Sequence, residues 1–114
     1  MNYKRTSVTA ALGGKEDLGK LWFTTMLHYS LVMTTASRYE NFGEIGAATL
    51  RMLAANNNIN LSEMEAKNAI SPIRSLPPHP EVKQALQDLC DENFKLVSFT
   101  NGSNEAVITQ LENA

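Results

Sequence analysis

The sequence predicts a mainly α protein, a helical bundle with one short strand and a helix after it. Three observations carry that expectation. Leu18, Trp22, Met26, Tyr29 and Met33 recur at helical spacing. Asn41 with Glu44, and Ser62 with Glu65, are side-chain pairs spaced to open helices. Only Phe94 to Thr100, ending at Asn101-Gly102, mixes apolar and polar residues in the manner of a strand.

The 114 residues are 43% hydrophobic and 19% charged, which suits one small domain with a modest core. The net charge of -2 comes without a basic stripe, so nucleic acid is not an expected partner. Cys90 is the single cysteine, which excludes an internal disulfide and fits a reducing compartment. No apolar run follows Met-Asn-Tyr-Lys-Arg, so the start does not read as a signal peptide. Leu21 to Ser37 is free of charge but holds Thr24, Thr25, His28, Ser30, Thr34 and Thr35, which favours a buried helix over a membrane span. The expected setting is soluble and cytoplasmic.

Taken in order, Met1 to Arg5 is expected to fray. Ser7 to Leu12 reads as a short helix, capped by Thr6 or Ser7 and stopped by Gly13-Gly14, since glycine takes the left-handed conformation a helix end needs. Lys15 opens the longest helix, with Glu16 and Asp17 at its positive end. Phe23, Leu27 and Leu31 add a second apolar row, so more than one neighbour is expected to cover this helix.

Asn41 caps the next helix, whose apolar face is Ile45, Leu50, Leu53 and Ala54 and which Asn56-Asn57-Asn58 stops. Gly46, Ala47 and Ala48 permit close helix approach. Ser62 opens a helix from about Glu63 to Ile70, and Ser71-Pro72 restarts the chain. Pro77-Pro78-His79-Pro80 is the clearest breaker, and a boundary is placed there, dividing 1–76 from 77–114. Glu81 to Asp91 follows as an amphipathic helix with Val82, Ala85, Leu86 and Leu89 inward, then the strand, then a helix over Asn104 to Leu111. The strand poses a problem: it needs a partner strand, and no other segment supplies one.

The chemistry-bearing stretch is Lys95 to Ser103, where a strand runs into a turn and a helix. Such a turn is where open α/β folds bind ligands. Thr100 offers a hydroxyl, Asn101 an amide, and the helix after Gly102 unpaired N–H groups for an anion. Asn-Gly is also a common turn pair, so a purely structural role stands beside the binding one. His28 reads as a hydrogen-bonded core or interface residue, His79 as an exposed loop residue and Cys90 as a small buried apolar one. No cluster of His, Cys, Asp and Glu has metal-ligand spacing, so no metal and no cofactor are expected.

Phe-Thr-Asn-Gly-Ser after an apolar strand resembles the second motif of the haloacid dehalogenase superfamily. The helical region resembles the cap of its type II dehalogenases, on Leu21-Trp22, the block Arg38-Tyr39-Glu40-Asn41-Phe42, and Pro80-Glu81-Val82 before the strand. The resemblance runs from about Ser7 onward. It implies a hydrolase with a Rossmann-like core, of which 77–114 would be a part, and a helical cap, matched by 1–76. It implies a 2-haloacid or related small organic acid as substrate. Thr100 matches the substrate-contacting Ser or Thr, Asn101 the neighbouring asparagine, and Phe42 and Leu27 the apolar pocket lining from the cap side; Gly102, next to them, is counted among the expected substrate-binding residues.

The departures are as informative. The family's nucleophilic aspartate, in a motif of the form Asp-x-x-Gly-Thr, is expected before Thr6, where only Met1 to Arg5 stand. Its lysine is expected after a further helix and strand, past Ala114. The arginine that follows Leu-Trp in the dehalogenases is Phe23 here, and Phe cannot hold an anion. The chain is therefore expected to be a piece shortened at both ends, inactive alone for want of a nucleophile. The competing expectation is a non-catalytic helical module that dimerises through apolar helix faces.

Overall fold

The computed structural model describes residues 2–113, with side chains from Ser7 onward. It contains six α-helices: α1 (Asn2–Ala11), α2 (Glu16–Thr35), α3 (Phe42–Asn56), α4 (Glu63–Ile70), α5 (Val82–Asp91) and α6 (Asn104–Asn113). A 3-10 helix, Ser71–Ser75, continues directly from α4. The residues fall into two compact units that divide between Ile73 and Arg74. The mainly α class is the one the sequence predicts.

The first unit is a ring of four helices, with α1 against α2, α2 against α3, α3 against α4, and α4 back against α1. Its core is Val8, Leu12, Trp22, Met26, Ile45, Ala47, Leu50, Leu53, Ala54 and Ala66. The expected face of α3 is the buried one, because Ile45, Leu50, Leu53 and Ala54 recur on one side of a helix flanked by two neighbours. At Gly46 α2 and α3 are in close contact. The Trp22 indole N–H donates to the Gly46 carbonyl at 2.9 Å, and a Cβ on Gly46 would stand 3.2 Å from Met26 Sδ.

The helix starts follow from side-chain acceptors. Asn41 Oδ1 accepts from Glu44 N at 3.2 Å. Ser62 and Glu65 form the reciprocal box, Glu65 N to Ser62 Oγ at 3.1 Å and Ser62 N to Glu65 Oε2 at 2.8 Å. The Glu44 carboxylate instead meets Lys67, which also holds Glu63, so an exposed cation ties α3 to α4.

The stops of α1, α2, α3 and α5 share one device. Gly13, Ser37, Asn58 and Asn93 have φ of 75°, 57°, 59° and 64°. In each case the next amide reaches back across the last turn: Gly14 N to Thr9 O, Arg38 N to Met33 O, Ile59 N to Ala54 O and Phe94 N to Leu89 O, at 2.8–3.0 Å. A left-handed residue is what turns the chain so that these bonds can close.

Several expectations are corrected. Asn2 to Arg5 belong to α1, and Thr6 and Ser7 lie inside that helix rather than capping it. No glycine or proline stands between Asn2 and Gly13, so nothing stops the helix earlier; Met1 lies outside the described residues. Phe23, Leu27 and Leu31 are exposed, since α1 and α3 cover only the Trp22–Met26 side of α2. His28 lies on the exposed side of α2 and is not a core residue, and Cys90 is exposed, not buried.

Residues 94–100 form no strand, and no strand exists among the described residues. An extended segment becomes a strand only when a second one satisfies its backbone groups. Leu96, Val97 and Phe99 are accordingly exposed, Phe99 fully. The same lack of a covering layer exposes Ala85, Leu86 and Leu89 of α5 and leaves Val82 half-buried, so its amphipathic pattern is real but its inward face is uncovered.

Candidate functional site

Thr100, Asn101 and Gly102 lie in the second unit, at the turn that feeds α6. The Thr100 hydroxyl accepts from Gly102 N at 3.1 Å, a local turn in which a side chain replaces a backbone acceptor. Ser103 caps α6: its Oγ accepts from Ala106 N at 3.2 Å and its carbonyl from Val107 N at 3.0 Å. One of the first N–H groups of α6 is thereby engaged by the chain itself. The sequence reading missed this cap, although a serine three residues before Ala106 is its local signal.

The turn opens on a concavity of about 460 Å³ lined by Ser98, Phe99, Thr100, Gly102, Asn104, Val107, Ile108 and Leu111. Its lining is hydroxyl and amide at one end and aliphatic along the Val107–Leu111 face of α6. No charged side chain lines it. An anion here would therefore be held by hydrogen bonds and the helix dipole alone, the weaker of the usual arrangements. Gly102 does not have a positive φ, and a Cβ there would make ordinary contacts of 3.4 Å to Val107 and 3.5 Å to Thr100 Oγ1. Its glycine is not demanded by the turn.

Leu27 and Phe42 belong to the first unit. Leu27 lies on the uncovered side of α2, 38% exposed, and Phe42 is the first residue of α3, half-buried against the core. Phe23, where the resemblance leads one to look for a cation, is exposed beside Trp22, with ring centroids 6.3 Å apart. The exposed edge of α2 is thus free of charge through this region. Among the described residues no group of three metal-ligating side chains occurs.

The second unit carries a clasp that no local pattern signals. Arg74 Nη1 meets Glu105 Oε1 at 3.0 Å, and Asn113 Nδ2 donates to the Arg74 carbonyl at 3.1 Å. Both ends of α6 are tied to one residue. Partners 31 and 39 positions apart leave no trace in a periodicity.

The chain is mainly helical with no strand among the described residues, and this fold matches the helical cap domain of haloacid dehalogenases. The chain is 24% identical over 95 residues to the (S)-2-haloacid dehalogenase of Pseudomonas sp. (strain YL), a match that spans 83% of this chain and 41% of the relative. The L-2-haloacid dehalogenase of Xanthobacter autotrophicus superposes with a TM-score of 0.77 at 21% identity, over 95% of this chain and 45% of that one. The same enzyme with chloropropionic acid covalently bound gives 0.74 at 20% identity, over 86% and 39%. No family profile matches the chain. The chain resembles the L-2-haloacid dehalogenases in sequence and in fold while spanning less than half the length of these relatives.

Proposed function

We propose that this chain is the cap and one wall of a haloacid dehalogenase-like hydrolase acting on a 2-haloacid or a related small organic acid, and that alone it turns over no substrate. In this reading 1–76 is the cap-like region and 77–114 a partial Rossmann-like core. The observation that carries it is that sequence and fold point to the same enzymes: 24% identity across 83% of the chain, and a TM-score of 0.77 across 95% of it. Thr100 and Asn101 would contact the acid, and Leu27 and Phe42 would line its apolar side.

The lack of turnover is supported by the chain's own acids. A covalent ester requires a carboxylate nucleophile beside the substrate-contacting hydroxyl. In the second unit, Asp88 and Asp91 accept from Gln84 and Gln87 along the exposed face of α5, at 2.8 Å and 2.9 Å. Chloride release from 2-chloropropionate by the purified chain is the direct test. Release at the level of buffer is expected; release above it that disappears in Thr100→Ala overturns the proposed inactivity. Amide shifts on titration with L-2-chloropropionate, followed by NMR, test the site itself. They are expected at residues 100–102, and their absence there removes these residues from substrate binding.

A second reading is favoured by the uncovered side of α2, where Leu31 is 66% and Val32 56% exposed. Here the chain is a helical module that forms a homodimer through that face. Light scattering decides it: a dimer that Leu31→Glu dissociates supports the reading, and a strict monomer ends it. No described helix is long and apolar enough to cross a membrane; a cytoplasmic setting is part of both proposed readings.

A further inference from the structure

The turn at Thr100 leads straight into α6, and α6 has little packing to hold it. It contains no buried residue, and among the described residues it packs closely against no other helix. Most helices in proteins are fixed by burying one face, and this one draws little from that source. Polar contacts then carry much of its orientation.

Two such contacts join α6 to a distant part of the chain, and both end on Arg74. Its Nη1 meets Glu105 Oε1 at 3.0 Å, and its backbone carbonyl accepts from Asn113 Nδ2 at 3.1 Å. Glu105 stands in the first turn of α6, and Asn113 is its last residue. A hold at both ends fixes the direction of a helix, where a single contact would let it swing. Arg74 lies in the 3-10 helix Ser71–Ser75, so its own backbone is constrained.

The Glu105 end of this hold is continuous with the turn. Ser103 accepts from Ala106 N and Val107 N, which makes the cap and the first turn of α6 one piece. Gly102 N donates to Thr100 Oγ1, which carries the order back to the hydroxyl. Charge matters as well. Glu105 follows Asn104, which lines the concavity, and no charged side chain lines it. A Glu105 carboxylate without its guanidinium would repel an incoming acid, with no cation in the lining to offset it.

The geometry points to Arg74 as a positioning residue for the acid site. Acting through Glu105, it holds Thr100 and Asn101 in place and neutralises a carboxylate beside them. This rests on the role proposed above for Thr100 and Asn101. Arg74 is not among the residues that line the concavity.

The test compares Arg74→Ala and Arg74→Lys with the parent, each as the full chain. Amide hydrogen exchange without ligand reads the turn at Gly102, Ala106 and Val107. The pair is exposed, at 40% and 80% for the two side chains. Exchange is therefore expected to quicken by about two- to fivefold in Arg74→Ala. Titration with L-2-chloropropionate, followed by the amide shifts of residues 100–102, is expected to show affinity weakened by about two- to fivefold in the same variant. Arg74→Lys keeps the charge and is expected to restore both readouts. An unchanged urea midpoint separates positioning from a loss of fold. Exchange in Arg74→Ala equal to the parent's overturns the inference. So does faster exchange with the parent's affinity for the acid, which leaves Arg74 a tether for α6 alone. A parent chain that shows no shifts at 100–102 overturns the proposed acid site itself, and the acid-site role of Arg74 falls with it.

Discussion

Replacing Trp22 with Phe strikes the point at which α2 and α3 are joined. Trp22 is 2% exposed, and its indole N–H reaches the Gly46 carbonyl at 2.9 Å. A Cβ on Gly46 would lie 3.4 Å from indole Cζ2, so ring and backbone are in contact as well as bonded. Phe keeps one ring and loses the donor. A buried bond of this kind is worth about 1–3 kcal/mol when one partner is removed. The missing part of the indole is roughly 40–60 Å² of buried surface, or about 1–1.5 kcal/mol. The loss should then be about 2–4 kcal/mol, a large share of the roughly 5–15 kcal/mol that holds a small domain. Urea unfolding followed by far-UV circular dichroism measures it, and with a slope of about 1–3 kcal/mol/M the midpoint should fall by about 1–2 M. Leu21→Ala is the control, one residue away and 49% exposed, with an expected change within about 0.5 kcal/mol. A Trp22→Phe loss no larger than the control's would refute the claim that this contact anchors the ring of helices.

Three further outcomes are expected. Thr49 Oγ1 is buried with no hydrogen-bond partner among the described residues, so Thr49→Val should raise the unfolding free energy measured by urea titration by about 1 kcal/mol. Ser37 has a φ of 57° at the end of α2; Ser37→Gly should relieve about 1 kcal/mol of backbone strain, read as a higher melting temperature, and no gain would mean the left-handed turn costs nothing there. Glu65 is held below the usual carboxylate range by the backbone N–H of Ser62 and then by its hydroxyl. A lowered folded-state pKa gives stability that is present above the unfolded value and lost as pH falls through the lowered one. Stability measured between pH 5 and pH 3, a window set roughly by ordinary carboxylate values, should therefore decline less steeply in Glu65→Gln than in the parent chain.

The features legible in the sequence are those decided within a few residues. Asn41, Ser62 and Gly13-Gly14 act on amides and carbonyls of their own turn, so their roles can be read locally. Ser37 shows the limit, because serine does not advertise the left-handed conformation that it adopts as Asn58 and Asn93 do. Which row of α2 is covered was not legible either. Trp22–Met26 and Phe23–Leu31 have equal claim by spacing, and only the placement of α1 and α3 decides between them. The strand over residues 94–100 failed for a related reason: its residues favour extension, but pairing belongs to a second segment. Of the candidate site, the turn at Thr100 was visible, while the Ser103 cap went unread and the Arg74 clasp had no signal at short range.

The uncovered run from residue 94 to residue 100 also bears on how the chain would meet a protease. Peptide that is exposed and belongs to no helix can enter a protease cleft without prior melting of the helices. A tighter core around Trp22 would then raise resistance to urea without protecting this span from cleavage.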